Sequence, residues 1–314
     1  MSILFLSQDE VRRLLNLDDL LDALAEGFMA LTSGEVCAPP RNEVTVPAGF
    51  LLGMPASMPD HQIAVKLVSV FHDNQRYGIP GHQALLCLFD PETGSTCAIM
   101  DGTYITAMRT AGSAALSARL LARESSSTLA IIGAGAQGEA HLKLLPRACN
   151  FKKIRIASLH TADAERISIL DPRAIAVESF EQAVRWADVV CLCTTSNRAV
   201  VKREWLARGT HLTSVGFKPP GGELSREIAE QGRLFVETRQ AFQPAPVGCD
   251  ELAGLDPERG TELGEVLLNL RPGRQSKDEL TVYKSMGHAI EDLVVANLVY
   301  RRAQATGLGT ILRL

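Results

Sequence analysis

No stretch of the sequence approaches the ~18 consecutive apolar residues that a bilayer-spanning helix needs, so nothing in it reads as a membrane span. It also has no Lys/Arg block. Lys+Arg total 32 and Asp+Glu 36, a formal net charge of −4, which offers no electrostatic footprint for nucleic acid. Neither CxxC nor HExxH occurs, and the cysteines are odd in number and irregular in spacing (Cys37, Cys87, Cys97, Cys149, Cys191, Cys193 and Cys249). This argues against a zinc site or a disulfide framework and points to a reducing cytoplasm. Cys191 and Cys193 lie two residues apart in an apolar run, share a strand face and read as buried thiols. The opening Met-Ser-Ile-Leu-Phe-Leu has no basic leader and reads as a first strand rather than a signal peptide. There is no internal repeat and no low-complexity segment.

What remains is ordinary globular protein, with 46% hydrophobic and 22% charged residues. A chain of 314 residues suggests about two domains. Residues 7–33 carry apolar side chains at helical spacing (Val11, Leu14, Leu15, Leu21, Leu24, Phe28, Leu31), and Ser33-Gly34 ends the pattern. Residues 43–71 alternate as strands do. Asp90-Pro91-Glu92-Thr93-Gly94 is a turn between two apolar runs, which makes a hairpin. The first hundred residues therefore read as a helix and a mostly antiparallel sheet. A long helix is expected from Tyr104 to Ala122. From Thr128 onward strands and helices alternate, with strands at Leu129–Ile132, Ile154–Ala157, Ala174–Val177, Val189–Cys193, His211–Val215 and Leu234–Val236. Such alternation implies a parallel sheet with right-handed crossovers. A closing helix is expected from about Leu280 to Ala305, returning to the first domain. The fold class is α/β: a Rossmann domain over 119–288, and a smaller α+β domain over 1–118, with the C-terminal helix 289–314 added to it.

Leu129-Ala130-Ile131-Ile132-Gly133-Ala134-Gly135-Ala136-Gln137-Gly138 is an apolar strand followed by G-x-G-x-x-G at the start of a helix. Gly133 permits a tight turn, Gly135 lets the backbone approach a pyrophosphate, and Gly138 lets helix and strand pack closely. The helix N-terminus then offers N–H groups to the phosphates, with Ala136 and Gln137 beside them. An acid at the end of the second strand would bind a ribose 2′-hydroxyl and repel a 2′-phosphate. Here the chain reads Ala157-Ser158-Leu159-His160-Thr161. The acid is missing, Ser158 and His160 can hydrogen-bond a phosphate, and the cofactor reading leans from NAD towards NADP. Thr195, just past the strand ending at Cys193, joins the cofactor-facing set.

Three cations stand out. Lys66 shares a strand face with Ala64, Val68 and Val70. It is either an edge lysine or a cation turned to substrate, where burial would depress its pKa. Arg109 shares a helix face with Ile105, Gly112, Ser113 and Leu116, and wants a carboxylate or phosphate, from within the protein or from a ligand. Arg41 follows two prolines and alone reads equally as a solvated residue. Together they suit a substrate bearing a carboxylate.

These segments together resemble the ornithine cyclodeaminase/mu-crystallin family. The resemblance rests on Pro40-Arg41, Val65-Lys66-Leu67-Val68-Ser69-Val70-Phe71, Gly78-Ile79-Pro80-Gly81-His82, Ala98-Ile99-Met100-Asp101-Gly102, Thr106-Ala107-Met108-Arg109-Thr110, the glycine motif, Glu262-Leu263-Gly264-Glu265 and Tyr283-Lys284-Ser285-Met286-Gly287. It implies an NAD(P)-dependent enzyme acting on an amino or imino acid, with the smaller domain serving substrate binding and dimerisation into a homodimer. It also implies that residues matching Arg41, Lys66 and Arg109 hold the substrate carboxylate, that Thr110 lies beside the cofactor phosphates and that Ser285 lies near the nicotinamide. The cyclodeaminases carry a catalytic aspartate in a Gly-x-Asp pattern, where this chain reads Gly216-Phe217-Lys218. A cation does not accept the proton of a substrate ammonium as a carboxylate does unless its pKa falls. Reduction of a C=N bond, or amino-acid dehydrogenation, is therefore the expectation over ornithine cyclodeamination. A binding protein that holds NADP without turnover is the alternative from another class. A short-chain alcohol dehydrogenase is excluded, because none of Tyr77, Tyr104, Tyr283 and Tyr300 begins a Tyr-x-x-x-Lys.

Overall fold

The computed structural model describes residues 2–313, with the side chains of His72 and Gln75 left aside. The chain divides into two compact units, Met1–Arg109 with His288–Leu314, and Thr110–Gly287. Met1 and Leu314, which the expected domain ranges include, lie outside the described residues.

The first unit opens with β1 (Ser2–Leu6), α1 (Gln8–Leu14) and α2 (Leu17–Thr32). The single helix expected over 7–33 is therefore two. Leu15 is extended, and the Asn16 side chain accepts from the backbone N–H groups of Asp18 and Asp19 at 2.8 and 3.3 Å, which starts a second helix. The apolar spacing runs on across this break because both helices face one core, so periodicity alone hides it. Ser7 starts α1 in the same way, in a reciprocal capping box with Glu10. α2 buries Leu20, Leu21, Leu24 and Phe28, each contributing about 2 kcal/mol relative to exposure.

Five strands follow: β2 (Asn42–Val46), β3 (Gly49–Ala56), β4 (Ile63–Val70), β5 (His82–Phe89) and β6 (Thr96–Asp101). They form an antiparallel meander in which Lys66 on β4 lies opposite Met54 on β3 and Leu86 on β5. α3 (Gly102–Leu121) comes next, buried on nearly every side. The division between the units falls within it, whereas the sequence boundary at 118 falls near its end.

The second unit contains β7 (Thr128–Ile132), α4 (Ala136–Ala148), β8 (Lys153–Ala157), α5 (Thr161–Ser168), β9 (Ala174–Ala176), α6 (Phe180–Val184), β10 (Val189–Leu192), β11 (His211–Ser214), α7 (Arg226–Gln231), β12 (Arg233–Val236), β13 (Gly260–Glu262), α8 (Leu263–Leu267) and β14 (Thr281–Lys284). Its eight strands make one sheet in the order β13-β12-β14-β11-β10-β7-β8-β9, and every pairing is parallel. The order reverses between β7 and β10, the position at which doubly wound sheets bind dinucleotides.

β14 corrects the closing helix expected from Leu280. Thr281–Lys284 is a fully buried strand between β11 and β12. A strand buried on both faces shows no alternation, so its apolar run could not be told from the start of a helix. The helix proper is α9 (Ala289–Thr306), which packs in the first unit against α2 and against β3, β4 and β5. Residues 307–313 are not helical as expected. Gly307 ends α9 in the left-handed conformation (φ 69°), and β15 (Thr310–Arg313) pairs antiparallel with β1. The first sheet thus runs β15-β1-β6-β5-β4-β3-β2, with β1 and β6 its one parallel pairing among the described residues.

Candidate active site

In the first unit β4, α3 and α9 bring four charges together. Lys66 is 1% exposed, and its Nζ donates to Oδ2 of Asp292 at 2.6 Å. Arg109 donates from Nε to Oδ1 of the same Asp292 at 3.2 Å and from Nη1 to Glu291 at 2.8 Å. Both acids stand in the first turn of α9, and Glu291 also accepts the backbone N–H of His288, closing a capping box. Two of the three expected cations therefore converge on one aspartate. Arg41 lies half-buried in the loop before β2.

The electrostatics follow from burial. Lys66 is pushed down to about 8, first by desolvation and then by the Arg109 charge, with Asp292 opposing both. For Asp292, desolvation is the largest influence and raises the carboxyl, but Arg109 and Lys66 together outweigh it and hold the group below its ordinary value. His82, at the start of β5, keeps solvent access. Its imidazole is nonetheless held down, first by the protein around the ring and then by Lys66 and Arg109.

In the second unit the other expected residues, Thr110 on α3 excepted, follow the C-terminal ends of the parallel strands. After β7, Gly133 has φ +106°, and a Cβ there would meet the Cys193 carbonyl oxygen at 2.6 Å. A Cβ on Gly138 would meet the Gly133 oxygen at 2.1 Å. Gly135 differs. It is exposed, nothing lies within 4 Å of where its Cβ would be, and as N-cap of α4 it supplies no side-chain cap. The first N–H groups of α4, beginning at Ala136 and Gln137, have no partner within the helix and receive no side-chain cap, and the loop before them is open at Gly135. This cradle fits a pyrophosphate. Ser158 and His160 follow β8, and His160 is the N-cap of α5 without a side-chain cap bond. Thr195 is exposed after β10, and Lys218 is half-buried after β11, with no hydrogen bond or ion pair among the described residues. Thr110 is buried on α3. Ser285 is buried after β14, where its Oγ donates to Glu237 at 2.6 Å.

Sequence reasoning missed the acids and one lysine. Glu291 and Asp292 look like ordinary first-turn acids of a helix. Glu237 also accepts the backbone N–H groups of Met286 and Gly287 at 3.0 and 3.1 Å. Glu223, Glu251 and Lys284 are buried together, and a lysine ending the apolar run Leu280–Tyr283 was the one available signal.

Ser117 Oγ and His211 Nε2, 3.1 Å apart, have the spacing of a nucleophile and its base. Both are fully buried, and His211 is pushed down to about 3, first by burial and then by Arg274, so the pair is a structural hydrogen bond. Among the described residues no group of three or more His, Cys, Asp or Glu could hold a metal ion, and no helix is long and apolar enough to cross a membrane.

A sequence profile of the ornithine cyclodeaminase/mu-crystallin family matches residues 1–307. The ketimine reductase mu-crystallin of Mus musculus is 36% identical over 305 residues, covering 94% of this chain and 96% of its own. Among solved structures, Δ1-pyrroline-2-carboxylate reductase of Thermococcus litoralis, in complex with NADH and L-proline, superposes with a TM-score of 0.92 at 30% identity, covering 98% of this chain and 99% of its own. An archaeal alanine dehydrogenase dimer with bound NAD superposes with a TM-score of 0.90 at 31% identity, covering all of both chains.

Proposed function

The chain belongs to the ornithine cyclodeaminase/mu-crystallin family, and we propose that it is an NAD(P)-dependent oxidoreductase acting at the Cα of a small amino or imino acid. The reaction is reduction of a ketimine carboxylate or its reverse. The relatives that reduce ketimines or Δ1-pyrroline-2-carboxylate, and the alanine dehydrogenase, support this class of chemistry.

The observation that carries the reading is the buried pair Lys66 and Arg109 on one carboxylate. Arg109, with Arg41, holds the substrate carboxylate, and fixing that group orients the reacting carbon. Lys66 lies on the same aspartate and is acidified to about 8, which suits a donor of the proton to the substrate nitrogen near neutral pH. Bound to the Gly133–Gly138 cradle, the dinucleotide supplies the hydride. Thr110, Thr195 and Ser285 complete that side. With no acid after β8, Ser158 and His160 leave room for a 2′-phosphate, and we read the preference as NADP over NAD.

Lys218 stands where the cyclodeaminases carry their aspartate, so this chain lacks the carboxylate base for deaminating ornithine. The protein works as a homodimer. Leu51, Leu67 and Leu85, on adjacent strands of the first sheet, are 38–43% exposed and share one face that a second copy covers. Cytoplasmic conditions suit the seven free thiols. The test is turnover by the purified protein. We expect NADPH oxidation with Δ1-pyrroline-2-carboxylate and no ammonia from ornithine. Proline formation from ornithine, or no turnover of any imino or amino acid, sinks the reading.

A further inference from the structure

Within the second unit, three strand ends are fastened together by buried charge. Glu223 is fully buried, and one of its oxygens accepts from Thr194 N and Thr194 Oγ1, both at 2.7 Å, just past β10. The other accepts from Ser214 Oγ at 3.1 Å, Val215 N at 3.1 Å and Gly216 N at 2.6 Å, at the end of β11. Lys284, the last residue of β14 and also fully buried, donates to the Gly216 oxygen at 2.7 Å, to Glu251 at 2.9 Å and to Ser214 Oγ at 3.3 Å. All three ammonium protons have acceptors. The Gly216 peptide is held at both ends, its N–H by Glu223 and its carbonyl by Lys284. The loop that leaves Gly216 carries Lys218 and returns through Gly221, whose N–H donates to Asp250 at 2.9 Å beside Glu251.

Lys284 has no donor left for a ligand and is remote from the glycine cradle in the strand order. β10, β11 and β14 belong, with β12 and β13, to the second half of the doubly wound sheet, across the reversal from the half that carries the phosphate loop. Glu223 reaches the glycine loop through Thr194, whose Cγ2 lies 3.3 Å from where a Cβ on Gly133 would stand, whereas the contacts of Lys284 are to Ser214 and Gly216 at the end of β11 and to Glu251. We propose that Lys284, acting with Glu223 and Glu251, is a positioning residue that fixes the ends of β10 and β11 as the floor for the nicotinamide half of the cofactor. This rests on the dinucleotide-binding reading above.

The experiment compares two probes on the full chain, NADH and ADP-ribose, the latter lacking the nicotinamide. Dissociation constants are measured by fluorescence or calorimetry. Lys284→Met is expected to weaken NADH roughly tenfold, about the worth of one charged hydrogen bond, and to leave ADP-ribose unchanged. Glu251 would then be buried without its partner, so the double variant Lys284→Met/Glu251→Leu, which removes both charges, accompanies it and is expected to give the same split. Equal weakening of both probes, or no weakening of NADH, overturns the proposal. Failure of the wild type to bind either probe overturns the dinucleotide reading, and the proposal with it.

Discussion

The Nζ of Lys66 lies 2.6 Å from Oδ2 of Asp292, two buried side chains 226 residues apart in sequence. The other oxygen of the same carboxylate holds Nε of Arg109. One acid thus sets the spacing of two cations, and it comes from the helix that closes the first unit.

Removing that acid should destabilise the protein. Asp292→Ala leaves a buried ammonium without its counter-charge, and breaking such a pair costs about 3–5 kcal/mol. Denaturant unfolding of the variant measures it. A loss under about 1 kcal/mol, the range of an exposed ion pair, would show that the contact contributes little.

Lys66 should give the enzyme an alkaline limit. Its ammonium is charged below about pH 8, so proton donation to the substrate nitrogen should hold there and fall as pH rises past that value. Stability should move the other way. The folded group titrates at about 8 against 10.5 when free, so between those values the unfolded chain binds more protons and folding gains from rising pH. A pH profile of kcat/KM for wild type and Lys66→Met checks this, and an alkaline limb that persists in the variant assigns it elsewhere.

Arg109→Ala should raise KM and cut kcat/KM by about 3 kcal/mol, a little over 100-fold, if a charged hydrogen bond to substrate is lost. Steady-state kinetics on a folded variant decide it. Unchanged kinetics would leave Arg109 a structural role, which includes its ion pairs with Glu291 and Asp292.

Two glycines of the phosphate loop should separate folding from binding. Gly138→Ala drives a Cβ to 2.1 Å from the Gly133 oxygen and should lower the melting temperature. Gly135→Ala meets nothing within 4 Å, so it should melt as wild type does while losing dinucleotide affinity. Thermal melts and NADH titrations of both variants test the contrast, and full affinity in Gly135→Ala would place the phosphates elsewhere.

The sequence was legible where one pattern interrupted another. The alternation after Thr128 and the glycine loop after β7 marked the parallel sheet. Lys66 and Arg109 were visible because a charge on an apolar face is costly without a partner. The partners themselves were hidden, since acids in the first turn of a helix need no special explanation. Lys284 was hidden for a different reason. β14 is buried on both faces and its four residues carry no period, so the strand, with the lysine at its end, cannot be told by pattern from the start of the following helix. The Asn16 break escaped because a cap acts through one side chain and leaves the apolar spacing intact.

The central claim is that hydride passes to the Cα of a C=N bond. It is tested most directly by reducing Δ1-pyrroline-2-carboxylate with the purified protein and NADPH carrying deuterium at both C4 positions of the nicotinamide, with NADH labelled likewise alongside. The account predicts proline carrying one deuterium at Cα, formed faster with NADPH. Proline without deuterium, or no proline while the cofactor stays bound, would contradict it.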